Sequence, residues 1–499
     1  MADFDLAIIG GGINGTGIAR DAAGRGLRVL LVEQNDLGSG TSSASTKLIH
    51  GGLRYLEHGA LRLVREALIE REVLLRLAPH VIRPMRFLLP AQSGTRSVWL
   101  LRLGLFIYDH LGGRRNLPPS RSIDLTHHPI GLALKRRYKS GFQYSDCMVD
   151  DARLVVLNAI DAAERGAVIR TRTKCVRAER EDNWRLVLNA RGRRDSVTAR
   201  VLINAGGPWV GQIAETIIRL PGPSRVRLVR GSHIVVRRLF EHDCGYIFQN
   251  PDKRVVFTLP FERDFTLIGT TDEDFRGDPA AAATQPREIA YLCATVNEYF
   301  RQPIEPEHVV WAFSGVRSLY DDGAKKPEDI TRDYYIDFAE GFHEAPLLTI
   351  YGGKITTYRR LAEAVLSRLS HFFAARDAWT KSAPLPGGDF AFDAIEELVA
   401  QARSSWPFLS EDHARRLIHA YGTRIDRVLG KAQSFADLGA CFGADLTAAE
   451  VRYLMTHEWA HDSEDVLWRR SKLGLRFSAE ERDALSRFMA GARDLTAAE

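Results

Sequence analysis

The 499-residue sequence predicts an α/β fold continued by an all-helical C-terminal part, and three observations predict it. A glycine-rich strand–turn–helix opens the chain, two more glycine turns follow apolar runs further on, and the pattern beyond about residue 388 is helical. The length exceeds what one hydrophobic core ordinarily serves, so two or three domains are expected.

The first element is "IIGGGINGTGIARDAAGRGLRVLLVEQ", Ile8 to Gln34. Asp5 to Ile9 is a short apolar run, Gly10, Gly12 and Gly15 fit G-x-G-x-x-G, and Asn14 to Ala23 has helical composition. A second apolar run, Leu27 to Val32, ends at Glu33. This is a Rossmann-like βαβ unit, in which glycines let the backbone approach a pyrophosphate at a helix N-terminus. Glu33 is placed to accept hydrogen bonds from the adenosine ribose hydroxyls, and its charge disfavours a 2′-phosphate. The fingerprint therefore selects FAD or NAD(H) over NADP(H).

Next comes "GSGTSSASTKLIHGGLRYLEHG", a small-residue loop leading into a helix that runs to about Leu77. A basic, partly apolar segment follows, with Trp99, Leu100, Leu103, Phe106 and Ile107 among Arg102, Arg114 and Arg115 between Arg96 and Arg115. From Asp150 a helix returns, then alternating strands, then "ARVLINAGGPWVGQIAE", where a strand meets Gly206 and Gly207. Leu228 to Phe275 is strand-rich and fits an antiparallel substrate sheet. Leu347 to Tyr351 meets Gly352 and Gly353, with a helix from near Thr356, and "SAPLPGGDF" reads as a linker. The separated turns at Gly206 and Gly353 fit one large ligand touched by several strand ends.

Composition narrows the class. With 45% hydrophobic and 26% charged residues the chain is ordinary globular protein, and 68 basic against 63 acidic residues leave only +5, too little to argue for nucleic acid. The five cysteines are odd in number, scattered and never in a C-x-x-C pair, which suggests free thiols in a reducing compartment. A first strand starting near Asp5 leaves no room for a signal peptide, and no apolar run reaches the roughly 18 residues of a membrane span, so a cytoplasmic protein is expected. "HEWAH", His457 to His461, matches H-E-x-x-H, but no third-ligand signature follows and no metal is expected.

Taken together, "GGGINGTGIARDAAGRG", "TSSASTKLIHGGLRYLE", "FQYSDCMVDDARLV", "GSHIVV", "IGTTD", "SGVRSL", "ITRDY" and "GGKITTYR" resemble the FAD-dependent, membrane-associated glycerol-3-phosphate dehydrogenases. The resemblance spans nearly the whole chain, including "YLMTHEW" and "LWRR"; Ser318 stands where the family has proline. It implies an FAD-binding domain from residues 1–80, 150–225 and 310–380, an antiparallel substrate cap from 81–149 and 226–309, and a C-terminal helical domain over 388–499. It also implies FAD as cofactor and glycerol 3-phosphate as substrate. Membrane quinone would be the electron acceptor, the inner-membrane lipid surface a peripheral contact at the cytoplasmic face, and a homodimer a partner state. An oxidase passing electrons to oxygen, or a flavin-bound redox-sensing protein without turnover, remain as alternatives.

Oxidising a secondary alcohol needs a base and a nearby hydride acceptor, and a phosphate needs fixed cations. Arginine suits phosphate because its planar fork donates two parallel hydrogen bonds and stays charged. The resemblance makes Arg317 and Arg332 the phosphate-holding arginines and Arg54, Tyr55 and Thr270 further substrate contacts. It makes His233 the first candidate base and His50 the second, or else a hydrogen-bond donor beside the flavin ring. Lys354 would meet the flavin's pyrimidine end or the substrate as a counter-charge. Ser42, Ser43, Thr46, Lys47 and Leu48 would bring backbone and hydroxyl donors to the pyrophosphate and ring. The remaining cofactor contacts would be Ile13, Asn14, Gln34, Val176, Ala205, Gly206, Trp209, Gly353, Ile355 and Thr356.

Overall fold

The structure is a computed structural model that describes residues 2–91, 98–113, 116–220, 225–250, 252, 254–321, 333–341 and 344–498. Two large sheets and a helical domain account for it. In the first sheet Phe4–Ile9 lies between Val29–Val32 and Arg193–Asn204, parallel to both; Val168–Arg170 and Glu344–Tyr351 extend it in parallel on either side. Strands such as Val29–Val32, "VLLV", are buried along their whole length, as a sheet covered on both faces requires. The helices Ile13–Gly24, Asp151–Glu164 and Tyr358–Arg368 pack on it through Ile18, Val155 and Leu361, all fully buried. Tyr335–Gly341 closes one edge antiparallel. The hairpin Thr173–Arg180 and Trp184–Ala190 branches from Arg193–Asn204. Each glycine turn anticipated from the sequence follows the C-terminal end of a parallel strand, namely Ile9, Asn204 and Tyr351. Open α/β sheets bind ligands at those ends.

The second sheet has ten strands, antiparallel except where Gly245–Gln249 runs parallel to Ile82–Pro90. Its longest ladder joins Val226–Arg237 to Val309–Tyr320, with Val229 opposite Arg317, Gly231 opposite Gly315 and His233 opposite Phe313. This differs from the boundary expected at residue 310. Residues 309–320 find their hydrogen-bond partner in Val226–Arg237 and so join the antiparallel sheet, and among the described residues the next strand of the nucleotide sheet is Tyr335–Gly341. Leu48–Ile49 also pairs into the second sheet, against Ser140–Val149, so the small-residue loop crosses from one sheet to the other.

The C-terminal domain has its own core, with Leu417, Val451, Leu454 and Leu485 buried among the helices Glu411–Tyr421, Ala448–His457 and Ala479–Ala498. The helix Ala448–His457 starts where the Thr447 side chain accepts from Glu450 N–H. A small hairpin, Cys441–Gly443 with Leu446–Thr447, interrupts the helices expected throughout this part. The helix also ends at His457, so "HEWAH" does not put its two histidines one turn apart on one face. Instead Glu458 makes a buried ion pair with Arg153, and the His457 ring stacks on Tyr453.

Candidate functional site

A chamber of about 810 Å³ runs between the two sheets, of the size that holds a cofactor with its substrate. At its nucleotide end the turn after Phe4–Ile9 is drawn tight. Gly10 has φ +117°, and a Cβ there would lie 2.4 Å from the Ala205 carbonyl oxygen. No side chain fits, so the backbone itself forms the wall. Glu33 is fixed by two backbone donors: Oε2 accepts from Gly11 N–H at 2.7 Å and Oε1 from Asn35 N–H at 2.8 Å. Burial pushes its pKa up, and those two bonds work against the rise. Each oxygen keeps a lone pair for a ribose hydroxyl.

At the helix start the Ser42 hydroxyl accepts from Ile13 N–H at 3.0 Å. Asn14 Nδ2 donates to the Gly352 carbonyl at 3.1 Å, tying the first glycine turn to the last, while Asn14 Oδ1 is buried without a partner. Gly12, Gln34, Thr46, Leu48 and Val176 line the same chamber. So do Ala205, Gly206, Trp209, Gly353, Ile355 and Thr356. Three of the residues expected here do not line it. Gly15 packs against the Gly10 carbonyl, where a Cβ would sit 1.9 Å away. The Ser43 hydroxyl donates to its own loop, to Gly40 at 3.4 Å. Lys47 is buried, with its ammonium on Asp151 at 2.8 Å and on the Ser43 carbonyl at 3.0 Å, so its charge fixes the loop rather than facing a ligand.

At the other end the second sheet contributes Thr270 and Arg317, and the 3-10 turn Leu53–His58 contributes Arg54 and Tyr55. Arg317 is ion-paired to Asp272, and both are about a quarter exposed, at 27% and 22%. The Thr270 hydroxyl donates to the Thr271 carbonyl at 3.0 Å. Gly231 makes room for both: a Cβ there would lie 2.6 Å from Thr270 Oγ1 and 2.7 Å from Arg317 Nη2. The Lys354 ammonium stands 3.8 Å from the centre of the Tyr55 ring, a cation–π contact that points it into the chamber wall. Arg332 lies outside the described residues.

Of the two histidines singled out in the sequence as candidate bases, one lines the chamber and the other does not. His50 lines the chamber, its ring in a T-shaped contact with Phe257 at 6.2 Å. Burial, together with the charges of Lys354 and Arg71, lowers its pKa to about 3, so it is neutral at working pH. His233 is 1% exposed and does not line the chamber. Its ring stacks on Phe313 at 4.9 Å, and Nε2 shares a 3.0 Å hydrogen bond with the Thr46 hydroxyl, which stands between it and the chamber. Burial holds its pKa well below the ordinary value as well. Gly231 and His233, two residues apart, share a face of Val226–Arg237, so it is the Thr46 side chain bonded to the ring, not strand alternation, that separates His233 from the chamber.

Sequence reasoning missed Asp272, Gly231 and Arg254, which also lines the chamber. Asp272 was visible within "IGTTD" beside Thr270, and an acidic residue that close to a candidate cation was the available signal. Gly231 opens the quoted "GSHIVV", where a glycine before a strand residue was the available signal, and for Arg254 no local signal existed.

Residues 5–359 match the family described as FAD dependent oxidoreductase, and residues 378–495 match the C-terminal domain of alpha-glycerophosphate oxidase. A glycerol-3-phosphate dehydrogenase of Pseudomonas aeruginosa is 50% identical over 489 residues, covering 97% of this chain and 95% of that protein. A D-erythritol 1-phosphate dehydrogenase of Brucella abortus is 49% identical, with 96% of each covered. Among solved structures, the glycerol-3-phosphate dehydrogenase of Bacillus halodurans complexed with FAD superposes with a TM-score of 0.75 at 25% identity, over 98% of this chain and 94% of that one.

Proposed function

The chain belongs to the FAD-dependent oxidoreductase family, and from that premise we propose that it oxidises sn-glycerol 3-phosphate to dihydroxyacetone phosphate and passes the electrons to a membrane quinone. One observation carries the reading. A single chamber joins a ribose-binding carboxylate, Glu33, to a cationic end formed by Arg317, Arg54 and Lys354. The residues present suit FAD: the Gly10 turn leaves bare backbone for a pyrophosphate, and Asn14 Oδ1 is a buried acceptor still without a donor. FAD, when bound, supplies the hydride acceptor.

The chain's own residues do the rest. Arg317, and by the resemblance Arg332, bind the phosphate as forked, permanent charges, with Asp272 holding the Arg317 guanidinium in its bearing and Arg54 as a further substrate contact. Thr270 and Tyr55 orient the polyol, and Lys354 offsets negative charge that develops beside it. His50, in the chamber wall, takes the proton from the C2 hydroxyl, which requires the bound substrate's negative charge to offset the burial and the Lys354 and Arg71 charges that lower its pKa to about 3 in the free protein. His233 orients Thr46 from behind.

Access to quinone comes through a peripheral lipid contact, since among the described residues no helix is long and apolar enough to cross a membrane. The helix Val98–Leu111 supports this. It buries Leu105 and Tyr108 in the cap and presents Trp99, Leu100, Leu103 and Phe106 to solvent, the first of them 69% exposed. Such a contiguous apolar stripe marks an interaction surface.

The test is anaerobic titration of the yellow enzyme. Bleaching by glycerol 3-phosphate at far lower concentration than by erythritol phosphate supports the proposed substrate, and the reverse order replaces it with the longer polyol phosphate. Turnover with a quinone analogue but not with oxygen alone supports the acceptor; rapid oxygen consumption makes the protein an oxidase.

A further inference from the structure

The turn that carries Glu33 is gripped from outside its own domain. Residues 33–38 leave the strand Val29–Val32 and return to the glycine turn, where Gly38 N–H donates to the Gly11 carbonyl at 2.9 Å. Near the apex Asp36 is fully buried, and both of its oxygens are taken by the C-terminal domain. Arg470 meets it bidentately, Nη1 at 2.6 Å and Nη2 at 2.8 Å, with neither side chain exposed. Arg469 adds a third bond from Nε at 2.5 Å. A second strut runs alongside: Arg172 reaches Asp465 at 2.7 Å, while its backbone N–H donates to the Asn35 carbonyl at 3.0 Å. Thr173 N–H donates to the Glu33 carbonyl itself at 2.8 Å.

These bonds answer an electrostatic and a geometric need at once. Asp36 is a second carboxylate three residues from Glu33, and left bare it would repel the charge that must face the ribose. A six-residue turn tied only at its ends would also leave the Glu33 side chain free to rotate away from Gly11. We propose that Arg470 and Arg469 are positioning residues for the cofactor: by neutralising and holding Asp36, the C-terminal domain sets the Glu33 turn in the form that retains FAD. The domain thereby acts on the adenosine end of the chamber, though none of its side chains lines that chamber. The inference rests on FAD as cofactor and is independent of which polyol phosphate is oxidised.

The experiment uses the full-length holoenzyme. Flavin release is followed by the rise of free-flavin fluorescence after dilution, and amide hydrogen exchange is read over residues 33–38. Arg470→Met should release FAD at least ten-fold faster and expose that turn to exchange; Arg470→Lys should recover most of the retention. Arg416→Met is the control. It breaks a pair with Glu450 inside the same domain, at 2.7 Å, in which the carboxylate is buried and the guanidinium 20% exposed, without touching the turn. It should lower the melting temperature and leave flavin release unchanged. If Arg470→Met does not fold, Arg469→Met, on a residue 16% exposed, should give the same acceleration in smaller degree. Wild-type release from both Arg470→Met and Arg469→Met, or equal acceleration in Arg416→Met, would overturn the proposal.

Discussion

Replacing Arg317 with alanine separates a phosphate clamp from a fold-supporting cation. The guanidinium is about a quarter exposed and shares its charge with Asp272, so neither the bulk-water nor the dry-interior limit applies. Two unit charges about 4 Å apart interact by about 1 kcal/mol in water and about 4 kcal/mol at the effective dielectric near a protein surface. A dianion facing a partly offset arginine falls between, at about 2 to 4 kcal/mol, which is roughly 30- to 900-fold in kcat/KM. Asp272→Asn loses the support but also removes the charge that offsets the arginine, two opposed effects, so the change should stay within about ten-fold in either direction. Stopped-flow reduction of the bound flavin by glycerol 3-phosphate and by plain glycerol provides the assay. Only the phosphate substrate should suffer in Arg317→Ala, and Arg332→Ala should follow it, with flavin content normal in both. Equal losses with the two substrates would show that Arg317 organises the fold or the flavin, and the clamp would be wrong.

Four further outcomes are expected. His50→Ala should slow flavin reduction by about two to four orders of magnitude for either substrate, and His233→Ala by less; the opposite ranking in the same stopped-flow assay would return the base to His233. Glu33→Ala strands the Gly11 and Asn35 N–H groups and should weaken FAD retention by about 1 to 3 kcal/mol, so full flavin occupancy after long dialysis would remove its ribose role. His50, His80 and His419 are buried neutral, each with its pKa lowered to about 3, first by burial. The unfolded chain binds those protons from about pH 6.5 downward and the folded chain does not, so stability is lost as pH falls, by about 2 kcal/mol per histidine at pH 5. Urea unfolding at pH 7 and 5 checks this, with His419→Gln lowering the slope by one proton; equal stability at both pH values would contradict it. Charge reversal at Arg114 and Arg115, which lie outside the described residues, should reduce binding to anionic vesicles, and unchanged sedimentation would remove this segment as the lipid contact.

The parts of this molecule that were legible in its sequence are those written locally. Gly10, Gly12 and Glu33 announce a dinucleotide because turn, helix and carboxylate must follow one another along the chain. The resemblance then carried the cofactor and the fold class, both of which the family and the FAD-bound neighbour support. What stayed hidden depends on distant partners. Nothing near residue 310 says whether a strand there pairs with Val226–Arg237 or with the nucleotide sheet, because β-pairing is settled across the chain. Lys47 reads as a ligand-facing cation until Asp151, 104 residues away, is seen to hold it. The resemblance puts His233 ahead of His50, and nothing in either motif shows that Thr46 stands on His233 while His50 lines the chamber.

The chamber's walls are drawn from segments between Ile9 and Thr356. On the ribosome, therefore, the glycine turn and Glu33 emerge early with nothing opposite them. Lys354 and Thr356 arrive some three hundred residues later, and Arg470 later still. Tight flavin capture has to wait for all of them, since pairings this distant are among the last a chain completes. A chain stopped before residue 354 lacks part of the chamber's wall, and on the proposal above full flavin retention waits further for the grip on Asp36 that arrives with Arg469 and Arg470.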